Sequence, residues 1–169
     1  MIPITPRTVE HLTKWCATYQ EVGTVPHPRH VRFSIGIYQI SQGLAWPSDC
    51  PARWQSFCAA AMHFCCCASA YGIDLSPAFP TSLDEIEGDA PGWERMMQLV
   101  GQAQQQVFYS LVEIQASTRA CRFKVPVLEN RLFALVRGCF QLVPPTYREG
   151  GCMDEMWILC RDLPKATKA

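Results

Sequence analysis

Between Ala52 and Tyr71 the chain reads ARWQSFCAAAMHFCCCASAY, apolar on nearly every face of a helix. A helix without a polar face has to be enclosed by its neighbours, so this segment is expected to be the most buried of the chain. Pro51 suits the first turn, where its missing N–H costs nothing. Gly72 suits the far end, because glycine takes the left-handed conformation cheaply. The alanines and cysteines are small, and cysteine in such a stretch serves as a buried hydrophobe.

Composition bounds the rest. The 169 residues are 49% hydrophobic and only 18% charged, enough apolar material for one core and too much for a disordered chain. Fifteen basic and fifteen acidic side chains cancel, which argues against a general nucleic-acid binder. No run approaches the length of a bilayer span, so no membrane partner is expected. The start, MIPITPRTVEHLTKW, lacks the pattern of a secretory signal. Ten cysteines without any CxxC pair fit reduced packing thiols better than zinc ligands or a disulfide scaffold. A cytoplasmic protein without metal or cofactor is the expectation.

Apolar periodicity predicts helices over residues 6–20, 29–45, 52–71, 93–120, 127–143 and 153–163. In the second, Phe33, Ile37, Ile40 and Leu44 recur at intervals of three and four. Trp46-Pro47-Ser48 breaks that helix, and Pro144-Pro145 ends the fifth. The acidic, proline-rich stretch 76–92 reads as a connecting loop with at most one turn near residues 82–86. The expected fold is a single all-α domain, an antiparallel bundle of about five to six helices. Residues 29–75 and 93–143 are a possible pseudo-repeat.

No nucleophile stands beside an obvious base, so no catalytic residue is assigned. Of four histidines only His63 falls in a predicted core helix; His27 and His30 flank a proline in a loop. Asp84, Glu85, Glu87 and Asp89 read as a solvated loop.

The pairing of IGIYQISQGLA, residues 35–45, with RWQSFCAAAMHFCCCASAYGIDL, residues 53–75, resembles the all-α nucleoside-triphosphate pyrophosphohydrolases, the MazG-like group that includes dimeric dUTPases. In that family E-x-x-E on one helix faces E-x-x-D on the next, and the four carboxylates hold magnesium. Acids at i and i+3 share a helix face, so two antiparallel helices present four ligands to one pocket. On this sequence the first acid positions are Gln39 and Gln42. The closing AYGIDL is similar to the family's, and counting back from it puts the second pair near Ser56 and Ala59, with His63 at a basic position and Cys66 at a further Asp position.

Glutamine, serine and alanine cannot neutralise a divalent cation, so the resemblance implies a MazG-like fold without its metal, a non-catalytic relative. It implies a nucleotide-type small molecule as partner and a homodimer or larger homo-oligomer. Candidate ligand-binding residues are Tyr38, Gln39, Gln42, Trp46, Ser56, His63, Arg131 and Arg137, the aromatics to stack on a base and the cations to meet phosphate. Arg32, Arg53, Arg122, Lys124, Trp54 and Trp93 are further candidates of the same kinds. The expected function is sequestration of a nucleotide or nucleotide-derived signal, in the manner of a phage anti-defence sponge. The alternatives are an active pyrophosphohydrolase using relocated acids such as Asp84, Glu85, Glu113 or Glu129, and a protein-interaction module presenting the glutamine-rich segment 98–106.

Overall fold

The structure, a computed structural model, describes residues 28–79, 90–116, 124–143, 157, 158, 160 and 161. Among them lie four helices: α1 (Pro28–Ala45), α2 (Pro51–Ala70), α3 (Trp93–Ala116) and α4 (Val125–Gln141), with a 3-10 turn at Ser76–Ala78 and no strand. Trp157, Ile158, Cys160 and Arg161 are also helical, within the sixth helix the periodicity predicts. The first predicted helix, residues 6–20, lies outside the described residues, as do Asp84, Glu85, Glu87, Asp89 and Arg122. None of the helices described is long and apolar enough to cross a membrane.

The apolar helix is central. Every residue of α2 from Phe57 to Ala68 is buried, between α1 on one side and α4 on another. Its ends follow the local rules. Pro51 sits in the first turn, and the Arg53 N–H donates to the Cys50 carbonyl at 3.0 Å. At the C-terminus Tyr71, Gly72 and Ile73 return their N–H groups to carbonyls of the last turn, with Gly72 at φ +73°. That left-handed residue redirects the chain, so Ile73 and Leu75 are buried again.

Two glycines set the α1–α2 seam. A Cβ on Gly36 would stand 2.6 Å from Cε1 of Phe64, and one on Gly43 would stand 2.7 Å from Cε1 of Phe57. Both pairs are seven residues apart, two turns on each helix, and rising numbers on α1 meet falling numbers on α2. The helices are therefore antiparallel, with two aromatic rings of α2 seated on bare backbone of α1. Phe33 continues the seam, its ring 5.7 Å from that of Phe64.

On the far side α4 carries Leu128, Leu132, Leu135, Val136, Cys139 and Phe140 into the core. The α3–α4 seam is antiparallel too, with Gly138 against Met96 and Leu99. Polar ties hold α3 in place. The buried Gln106 accepts the Lys124 N–H at the start of α4 (3.2 Å), and the Tyr71 and Ser110 hydroxyls share a 2.7 Å hydrogen bond. Trp157 closes the core with its ring 4.4 Å from Phe79 and 4.9 Å from Phe140.

Candidate functional site

The α1–α2 register decides which predicted residues can act together. With Gly36 level with Phe64 and Gly43 level with Phe57, Gln39 lies level with Ala61 and Gln42 with Cys58. Ser56 and Ala59 are within a turn of those levels. The four positions at which the resemblance expects carboxylates thus share one stretch of the helix pair.

Their sides follow from helical geometry. Arg32 and Gln39 each precede a seam glycine by four residues, and Gln42 precedes Gly43 by one. Ser56 and His63 each precede a seam phenylalanine by one. In an antiparallel right-handed pair these offsets turn toward the same side, bringing Arg32, Gln39, Gln42, Ser56 and His63 to one flank of the seam. Trp46, three residues beyond Gly43, stays on that flank because its N–H donates to the Gln42 carbonyl at 3.2 Å, extending the helical turn. Ala59 turns away into the core, and Tyr38 turns to the back of α1, where it is 58% exposed.

At one end of the flank Arg32 and His63 lie near each other. Arg32 is buried, and His63 is fully enclosed. Burial, and then the nearby Arg32 charge, push the His63 pKa down to about 4. At neutral pH the imidazole is therefore uncharged, with one ring nitrogen a donor and the other an acceptor. Gln39, Gln42 and Ser56, farther along the flank, are half-buried. The Ser56 hydroxyl donates to the Ala52 carbonyl of its own helix at 2.9 Å, so its further capacity is as an acceptor.

At the other end the α1–α2 turn is tied down. Arg53 Nη1 donates to the Trp46 carbonyl at 2.8 Å, and the Cys50 N–H donates to the Pro47 carbonyl at 3.0 Å. The Arg53 guanidinium lies 5.5 Å from the Trp54 ring centre and 5.7 Å from that of Phe57. Trp46, held at both its N–H and its carbonyl, stays 44% exposed.

Arg131 and Arg137 stand elsewhere. The α4 thiol of Cys139 has its pKa raised by burial and by the nearby Cys58 and Cys65. Those two follow the seam phenylalanines by one residue, which puts α4 on the opposite flank of α2. Arg131 there donates from Nη1 to the Gln102 carbonyl of α3 at 2.6 Å, joining two helices, and Arg137 is half-buried. Of the relocated acids weighed for an enzyme, Glu129 is half-buried on α4, also away from the seam. In the glutamine-rich segment Gln104 and Gln105 are exposed, whereas Gln106 is committed to Lys124.

Sequence reasoning named Arg32 among several cations without ranking it. Its seven-residue spacing from Gln39 was the available signal, and only the glycine seam shows which flank that spacing serves. Among the described residues no group of three histidine, cysteine, aspartate or glutamate side chains is arranged to hold a metal ion. Comparison with protein-family models, curated proteins and solved structures gives no match.

Proposed function

We propose that this chain is a non-catalytic, MazG-like protein that binds and holds a nucleotide or nucleotide-derived signalling molecule. The observation that carries the reading is the flank itself. Where the resemblance expects four magnesium-binding carboxylates, this chain sets Gln39, Gln42 and Ser56 on the flank and Ala59 in the core, with Arg32 and a neutral His63 farther along. Carboxylates without metal repel a phosphate. Amides, a neutral imidazole and a guanidinium are groups that can donate hydrogen bonds to it, and the guanidinium adds positive charge. The same replacement removes the Lewis acid and the activated water that hydrolysis uses in the family. Binding without turnover suits sequestration, the role of a phage anti-defence sponge. A homodimer or larger homo-oligomer belongs to this reading by way of the resemblance.

The test is a thermal-shift screen with nucleotides, cyclic oligonucleotides and ADP-ribose derivatives, each in EDTA and in magnesium. Ligand at about 100 times its dissociation constant adds roughly 2.7 kcal/mol, several degrees for a domain of this size. The expected result is a shift in EDTA with the ligand recovered intact. A shift seen only with magnesium, or a consumed ligand, supports the active enzyme instead. No shift with any ligand supports the protein-interaction module.

A further inference from the structure

Independently of what the seam flank binds, we infer that two copies of this chain pair weakly and reversibly through their α3 helices. The helices run antiparallel about a two-fold axis, with the Phe108 ring of each copy seated on the bare Gly101 backbone of the other.

Among the described residues Phe108 is the most exposed large apolar side chain, at 59%. Gly101 is exposed as well, with no atom within 4 Å of the place its Cβ would take. Helix α3 thus presents a ring without a seat and a seat without a ring. The two lie seven residues apart, about two helical turns, so they share one face. This chain already uses the same fit internally, where Phe57 and Phe64 rest on Gly43 and Gly36 across an antiparallel seam. A two-fold axis lets one helix supply both halves of that fit. Phe108 meets the partner's Gly101 while Gly101 meets the partner's Phe108. The axis falls between Gln104 and Gln105, which is also the midpoint of α3 (Trp93–Ala116), so the helices overlap along their full length of about 36 Å. Near a two-fold axis each side chain approaches its own copy, and a charge there would meet itself. The exposed residues from Gln98 to Phe108 are Gln98, Gly101, Gln104, Gln105 and Phe108, none of them charged. Gln104 faces the partner's Gln105, and carboxamides both donate and accept, so the pair is self-complementary. Gln105 donates one N–H to the Tyr109 hydroxyl at 3.2 Å, which leaves its oxygen to accept. A strip about 10 Å wide and about 36 Å long covers less than the roughly 1,200–2,000 Å² of a standard interface. Association is therefore expected in the micromolar range rather than as a permanent dimer.

The experiment is sedimentation velocity on the full chain under reducing conditions, from about 1 to about 500 µM, with Phe108→Ala, Gly101→Ala and Tyr38→Ala alongside. The wild type is expected to pass from monomer toward dimer across that range, with little dependence on salt because the face is uncharged. Phe108→Ala removes two ring contacts per dimer and weakens association about 100-fold or more. Gly101→Ala discriminates more sharply. Its Cβ is free in the single chain but would meet the partner's Phe108 ring. The dimer should weaken about tenfold or more while the dilute monomer keeps or gains thermal stability. A folding defect does not produce that pair of opposite signs. Tyr38→Ala, which removes a ring 58% exposed on α1, leaves association unchanged. A chain that stays single throughout the range overturns the inference, as does a dimer indifferent to Phe108→Ala. A dimer weakened by Phe108→Ala but not by Gly101→Ala overturns the antiparallel register. One weakened as much by Tyr38→Ala overturns the assignment to α3. The ligand screen in EDTA tests the seam flank separately, so either reading can fail without the other.

Discussion

Replacing each of three helical glycines by alanine separates helix propensity from packing, and the structure assigns each a different outcome. In a helix interior alanine is favoured over glycine by about 1 kcal/mol when nothing else changes. Gly101 on α3 meets that condition, since a Cβ there has no atom within 4 Å. Gly101→Ala is expected to stabilise by about 0.5–1 kcal/mol. Gly36 is the opposite case. Its Cβ would sit 2.6, 2.9 and 3.0 Å from three atoms of the Phe64 ring. Carbon atoms in good contact stand about 3.5–4.0 Å apart, so the seam must open by about 1 Å or the ring must leave its place. The ring is stiff and is itself packed against Phe33. An overpacking cost near the upper end of the usual 1–3 kcal/mol outweighs the propensity gain, for a net loss of about 1–2 kcal/mol. Gly138 falls between, because its close neighbour is the flexible Met96 side chain, with Sδ at 2.8 Å. Urea unfolding, read as midpoint times slope, should rank Gly101→Ala above Gly138→Ala above Gly36→Ala. The two extremes should differ by about 1.5–3 kcal/mol. Phe64→Leu should partly rescue Gly36→Ala in a double-mutant cycle. If Gly36→Ala stabilised as much as Gly101→Ala, the seam would not be this close. The register that gathers the flank would then fail with it.

Further outcomes follow from the same contacts. His63 has its pKa lowered to about 4 from an ordinary 6.5, so its neutral form costs nothing above pH 6.5, and stability falls as pH drops toward 4 and the unfolded chain takes up the proton. The loss reaches about 3 kcal/mol by pH 4, so between pH 7.5 and 4.5 the urea midpoint of wild type should fall relative to that of His63→Met; a constant difference would contradict it. Tyr71→Phe leaves the buried Ser110 hydroxyl without its 2.7 Å partner on α2's C-terminal turn, though Ser110 still donates to the Val107 carbonyl. A loss of about 1 kcal/mol is expected, and Ser110→Ala should add little to it in the double variant. Cys58, with its pKa pushed up to about 12 by burial, and Cys139 should resist iodoacetamide at pH 8 while the half-buried Cys50 reacts. Peptide mapping that found Cys58 labelled as fast as Cys50 would contradict the enclosed core.

Much of the fold was legible because the apolar pattern leaves few choices. An all-round apolar stretch such as 52–71 must be enclosed, and prolines at 47, 51 and 144 mark breaks without ambiguity. The third helix is described only to Ala116, short of the 120 that periodicity suggests, and residues 117–123 lie outside the description. The placement of the candidate residues was legible in part. Gln39, Gln42, Ser56 and His63 were named from a helix pattern and do share a flank. Arg131 and Arg137 were named because cations on an apolar helix stand out, yet such a charge can equally serve a neighbouring backbone carbonyl, as Arg131 does at Gln102. Spacing along one helix shows which residues share a face. It does not show which neighbour the face meets, and here that depends on two glycines whose importance appears only beside Phe57 and Phe64.

The most direct test of the account is to follow the His63 imidazole by NMR in histidine-labelled protein, assigned by its loss in His63→Gln, as ATP is added in EDTA. The account predicts a pKa near 4 in the free protein and a marked rise on saturation, because a phosphate beside Arg32 favours the charged ring. A His63 titration that stays unchanged while ATP binds would place the ligand elsewhere and contradict the assignment of this flank.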